Sequence, residues 1–121
     1  VVVITFSPST LHLNSIKTRL DPLGIPTYFY LPDSSVLEPF LVIGTNSSDT
    51  TKTAQTGLLI EDTTVSIDIF LPNNSRTNAE DIKSKAIRLL GRNKLTANVL
   101  MDNSIGREVY HISITLTEAI L

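Results

Sequence analysis

Apolar positions along this chain change between helical and alternating spacing several times, and the changes mark out its elements. Ser7 and Pro8 supply an N-cap followed by proline at the first helical position, and Leu13, Ile16 and Leu20 then recur at helical intervals. A helix over residues 8 to 20 is expected, stopped by Asp21-Pro22 and by Gly24 to Pro26. Thr27 to Leu31 reads as a short aromatic strand and Pro32 to Glu38 as a loop. In the block Pro39 to Gly44, PFLVIG, both alternating sets of side chains are apolar, the pattern of a strand covered on both faces.

Thr45 to Gly57, TNSSDTTKTAQTG, breaks this pattern, because no apolar side chain in it is larger than Ala54. Its threonines favour extended backbone while neither face has anything to bury, so it reads as a polar loop or projecting β-arm that needs a partner to fix its register. Beyond it, Val65, Ile67, Ile69 and Leu71 alternate with Thr64, Ser66, Asp68 and Phe70, as in a strand with one buried face. Pro72-Asn73-Asn74 ends that strand. Thr77 with Glu80 fits a capping box opening a second helix, whose Ala79, Ile82, Ala86 and Leu89 share a face and whose natural stop is Gly91. Leu95 to Met101 and Glu108 to Glu118 form a final antiparallel pair, with Tyr110, Ile112, Ile114 and Leu116 on one side. Counting the opening VVVITF as extended, the order β-α-β-β-β-α-β-β predicts a single α+β domain over residues 1 to 121, with two helices on one face of a mostly antiparallel sheet.

Composition narrows the function classes. A chain of 121 residues accommodates one core and one site at most. Its charged fraction of 18% is below the roughly 25% usual for soluble domains, so some apolar surface is expected to be covered by other subunits. Net charge is −2, which gives no overall attraction to nucleic acid or acidic membranes. Six of the ten basic residues nevertheless fall together, at Arg76, Lys83, Lys85, Arg88, Arg92 and Lys94. This run reads first as a solvated helix face complementing the helix dipole, and secondly as a surface meeting DNA or an acidic subunit. With no cysteine, disulfides, thiolate metal sites and cysteine nucleophiles are excluded. No apolar run is long enough to cross a bilayer, and VVVITF lacks the basic start and length of a signal peptide, so a soluble chain is expected. Val1 is not an initiator methionine, and the first segment reads as the end of a longer element.

Candidate chemistry is sparse. His12 and His111 are the only histidines, and neither lies at ligand spacing from a second imidazole. The pairs Glu61-Asp62 and Glu80-Asp81 are better explained by strand geometry and helix pairing than by acid and base duty. Asp68, mid-strand among apolar neighbours, points to a sheet-edge or intersubunit salt bridge. Neither a nucleophile elbow nor a glycine-rich phosphate loop occurs. No enzymatic activity, no cofactor and no metal are therefore expected. The residues singled out for a subunit interface are Asn46, Asp49, Thr50, Thr51, Lys52, Thr53, Gln55 and Asp68, and those for a lumen or partner contact are Lys85, Arg88 and Arg92. The alternative is a small-molecule binding or regulatory domain in which the Thr-rich loop acts as a lid over a pocket near Tyr28 and Tyr30.

The succession Pro39-Phe40-Leu41-Val42-Ile43-Gly44, the polar excursion, the strand Val65-Ser66-Ile67-Asp68-Ile69-Phe70 and the helix start Ser75-Arg76-Thr77-Asn78-Ala79-Glu80 with Ile82, Ala86 and Leu89-Leu90 resembles small minor tail proteins of long-tailed bacteriophages. These are the tail terminator or tail-completion (head-tail joining) proteins. The resemblance covers about residues 25 to 91. Members often carry a tryptophan where this chain has Phe70. The resemblance implies a virion protein assembled in the host cytoplasm, forming a hexameric ring at the head-proximal end of the tail. Its implied partners are copies of itself, the tail tube protein and the head connector proteins, with non-specific DNA contact in the lumen and none with membrane.

Overall fold

The computed structural model describes residues 8–49, 61–91, 94–103 and 105–120. The opening VVVITF and the stretch from Thr50 to Gly57 lie outside them. Within the described residues the order is α1 (Pro8–Leu20), a 3-10 turn (Asp21–Leu23), β1 (Thr27–Tyr28), β2 (Phe40–Asp49), β3 (Glu61–Pro72), α2 (Arg76–Leu90), β4 (Lys94–Asp102) and β5 (Val109–Ile120). The strands form one sheet in the order β1-β2-β3-β5-β4, antiparallel except for the β1–β2 pair. The expected α+β class and mostly antiparallel sheet are therefore observed.

Both helices lie against one face. Ile16 and Leu20 from α1 and Ala79, Ala86 and Leu90 from α2 join Leu41, Ile43, Val65, Ile67, Ile69, Ile112, Ile114 and Leu116 in one cluster. The alternation in β3 and β5 produces this directly, since period-2 apolar residues all face one way. The doubly apolar PFLVIG block is also explained: Leu41 and Ile43 enter the main core, while Phe40 and Val42 meet Phe70 and Val109 on the opposite face. That smaller cluster is roofed by Val36 and Ile105. Arg107 fixes the roof by donating from Nε to Glu38 Oε1 at 2.7 Å, from Nη1 to the Ser34 carbonyl at 2.8 Å and from Nη2 to the Val36 carbonyl at 2.7 Å.

Three local differences from the sequence expectation have physical causes. The aromatic strand ends at Tyr28 rather than Leu31, because the chain leaves the β2 edge to build the roof. The α2 cap is Ser75, whose hydroxyl accepts from the Asn78 N–H at 3.1 Å; Thr77 lies inside the helix, and Glu80 pairs with Arg76 and Lys83 instead of reaching back. The expected stop at Gly91 holds, at φ 87°, a value that disfavours side chains with a Cβ. Third, β2 continues past the apolar block as far as Asp49. Between Ile43 and Asn46 its register with β3 shifts, Gly44 and Thr45 together opposing Ser66 in a bulge. The shift places Asn46 and Ser48 in register with the helix-facing Val65 and Thr63.

Candidate functional site

The helix-free face of the sheet carries a polar row built by strand order. Because β5 lies between β3 and β4, outward positions of all three become neighbours across the ladder: Asp68 faces Ser113, Phe70 faces His111 and Leu100 faces His111. His111 sits between two carboxylates. Its Nε2 lies 2.6 Å from Asp68 Oδ1 and its Nδ1 2.9 Å from Asp102 Oδ2. Ser66 donates to the second Asp68 oxygen at 3.2 Å, and the Phe70 ring stacks on the imidazole with centroids 4.5 Å apart.

The hydrogen bond to Asp68 is the main cause raising the His111 pKa above its ordinary value of 6.5; desolvation opposes it, and the Asp68 charge and the Asp102 contact add to it. Below that raised value the ring is an imidazolium that donates from both nitrogens to the two carboxylates. With both nitrogens taken up, it offers no lone pair to a nucleophile, and the Ser66 hydroxyl is directed at Asp68 rather than at the ring. What the arrangement does is tie β3, β5 and β4 together across the open face. A cavity of about 520 Å³ adjoins it, lined by Met101, Asp102, Asn103 and Glu108.

A pH dependence follows from this geometry. The folded state holds the His111 proton more tightly than the unfolded chain, so the contribution of the clamp is complete below pH 6.5 and is lost as pH rises through the elevated folded value. Urea unfolding at a series of pH values should show stability falling on the alkaline side of neutrality. In His111→Gln that slope should vanish, at a cost of about 1–2 kcal/mol near pH 6 for charge-assisted hydrogen bonds at a partly exposed site. An unchanged slope in the variant would remove His111 as its source.

A second polar cluster lies on the helix face. Glu118 of β5 accepts from Arg19 at 2.6 and 3.1 Å, with His12 Nε2 2.7 Å from the same carboxylate. Arg19 also donates to the Leu90 carbonyl at 3.0 Å, joining the ends of both helices to the sheet. Nothing in the sequence reading brought these residues together.

The residues singled out from sequence are dispersed. Asn46 and Asp49 lie on β2, opposite Val65 and Asp62. Thr50, Thr51, Lys52, Thr53, Gln55 and Arg92 lie outside the described residues. Asp68 has its partners, His111 and Ser66, in its own chain. Lys85 and Arg88 are exposed on α2, where Lys85 pairs with Asp81 at 3.1 Å. With Pro22, Leu23 and Leu89 they line a cavity of about 310 Å³. Tyr28, near which a ligand pocket was the alternative expectation, packs edge-on against Phe40 and Tyr30. Among the described residues no group of three or more acidic or histidine side chains is placed to hold a metal ion. Among them, too, no helix is long and apolar enough to cross a membrane.

No protein-family model matches the chain, and no curated protein matches it in sequence.

Proposed function

We infer that this chain is a ring-forming structural subunit of a long-tailed bacteriophage, a tail terminator or tail-completion protein that caps the tail tube and joins it to the head connector. The observation that supports this reading most is the β2–β3 ladder, which continues beyond the apolar block through Asn46–Val65, Ser47–Thr64, Ser48–Thr63 and Asp49–Asp62. On its other side β5 pairs with these same β3 residues, so the sheet itself carries β2 in order up to Asp49, directly before the Thr-rich stretch; an arm rooted there and seated on an adjacent subunit is a heterologous contact, the kind that closes into rings. The sequence resemblance over residues 25 to 91 supports the particular assembly, and a hexamer is its expected size. In this reading Asn46, Asp49, Thr50, Thr51, Lys52, Thr53 and Gln55 contribute the subunit contact, and Lys85, Arg88 and Arg92 face the lumen or a partner.

Deleting Asp49 to Gln55 tests it. The shortened chain is expected to keep its helices, sheet and cooperative unfolding, because among the described residues the main core takes its β2 side chains from Leu41 and Ile43. Light scattering after size exclusion should show rings for the full chain and none for the deletion. Tails made with the deleted protein should fail to join heads, and normal joining would overturn the proposal.

A further inference from the structure

The outer side of β4 has no strand beside it among the described residues, where β4 pairs with β5 alone and ends the sheet. Edge strands are usually guarded by proline, bulges or central charges. The strand Lys94–Asp102, KLTANVLMD, contains none of these, its only charges being one cation at the start and one anion at the end. Two of its large apolar residues stand unusually open, Leu100 at 44% and Met101 at 42% exposure.

We propose that β4 is a self-recognition edge, pairing antiparallel with β4 of a second copy about a two-fold axis through Asn98, so that two five-stranded sheets become one. The pairing is fixed by the strand's own pattern. About that axis Lys94 meets Asp102 of the second copy, Leu95 meets Met101, Thr96 meets Leu100, Ala97 meets Val99, and Asn98 meets its own counterpart. Every pair keeps to one side of the sheet. Leu95, Ala97 and Val99 already pack against the helix-side core, and Met101 gains an apolar partner there. On the open face lie the charge pairs at both ends. A parallel arrangement in register would instead set Lys94 against Lys94 and Asp102 against Asp102, which like-charge repulsion disfavours. The carboxylate that receives Lys94 is already positioned by His111. This contact uses the sheet edge rather than the hairpin tip, so it stands independently of the ring.

Cysteine cross-linking tests the register, because the natural chain contains no cysteine to compete. Residues directly opposite in an antiparallel pair have Cα atoms about 4.5–5.5 Å apart, inside the range a disulfide spans. Asn98→Cys should therefore oxidise rapidly to a covalent dimer. Thr96→Cys should not, since its two copies are offset by four residues, roughly 13 Å. Mixed with Leu100→Cys, however, Thr96→Cys should yield the mixed dimer. Lys94→Asp should weaken the non-covalent dimer roughly tenfold in sedimentation, because the repulsive contact occurs twice per dimer. These measurements should give the same result in the chain lacking Asp49 to Gln55, which separates them from ring formation. Equal cross-linking of the two single variants, or a chain that remains monomeric at millimolar concentration, would overturn the proposal. Melting curves of each variant confirm that the fold is intact.

Discussion

Replacing Ile67 by alanine is expected to lower the unfolding free energy by about 3–4 kcal/mol, the upper part of the range for removing a buried isoleucine side chain from a packed core. Ile67 is fully buried at the centre of β3, with Ile43 of β2 on one side and Ile114 of β5 on the other, both nearly inaccessible. β-strand backbones on both flanks hold the site open, so collapse into the vacated space is limited. The loss combines the transfer free energy of the deleted methyl and methylene groups with that of the cavity left behind. For a domain of this size the melting temperature should fall by about 10–15 °C. Urea unfolding should show a lower midpoint with an unchanged slope, since the surface exposed on unfolding is nearly the same. Thr115→Ala is the matched comparison. Thr115 lies on the open face opposite Ser66, is exposed, and should change stability by less than about 0.5 kcal/mol. A cost below about 1.5 kcal/mol at Ile67 would mean that β3 is not the central strand of the core.

That central position was legible only in part. The period-2 run from Val65 to Leu71 marks a strand with a buried face, and the doubly apolar block at Phe40 marks one covered on both sides; both are observed. Helix α1 begins and ends where Pro8 and Asp21-Pro22 place it, because these signals act through local backbone geometry. Strand order is a different kind of information. Local pattern shows β4 and β5 as a hairpin but not that β5 inserts beside β3, and this insertion brings Asp68, His111 and Asp102 together. The sequence marks Asp68 and His111 only separately, one as a salt-bridge candidate and the other as a histidine with no second imidazole at ligand spacing. The available signal was parity: Asp68, Asp102 and His111 all fall on the outward set of their strands, opposite the apolar set. The Ser75 cap was obscured by a competing Thr77-Glu80 pair of equal local merit. In the fold Ser75 accepts from the Asn78 N–H, while Glu80 is taken up by Lys83 and Arg76.

The helix-side cluster was the least legible feature, and it supports a prediction of comparable size. Glu118→Ala should cost about 2–3 kcal/mol, because it removes the one carboxylate that receives both Arg19 and His12. The figure is set below that of a fully buried pair since the Arg19 side chain keeps a quarter of its exposure. The site has little capacity to compensate: among the described residues His12 Nδ1, Arg19 Nε and Thr63 Oγ1 are already buried without partners. Burial by itself would raise the Glu118 pKa, but hydrogen bonds from Arg19 and His12, together with their charges, outweigh it and hold the carboxyl below its ordinary 4.5. The sign is therefore opposite to that at His111. Here the stabilisation is complete above pH 4.5 and is lost as pH falls through the depressed folded value. Wild-type stability should thus be greatest between about pH 4.5 and 6.5, with an acid limb governed by Glu118 and an alkaline limb by His111. Glu118→Gln separates the two, since the amide keeps an acceptor for Arg19 but cannot titrate. Its acid limb should flatten while its alkaline limb persists, and His111→Gln should show the reverse. If Glu118→Gln unfolds in acid with the wild-type slope, the proton uptake belongs to other carboxylates and the cluster contributes packing rather than charge.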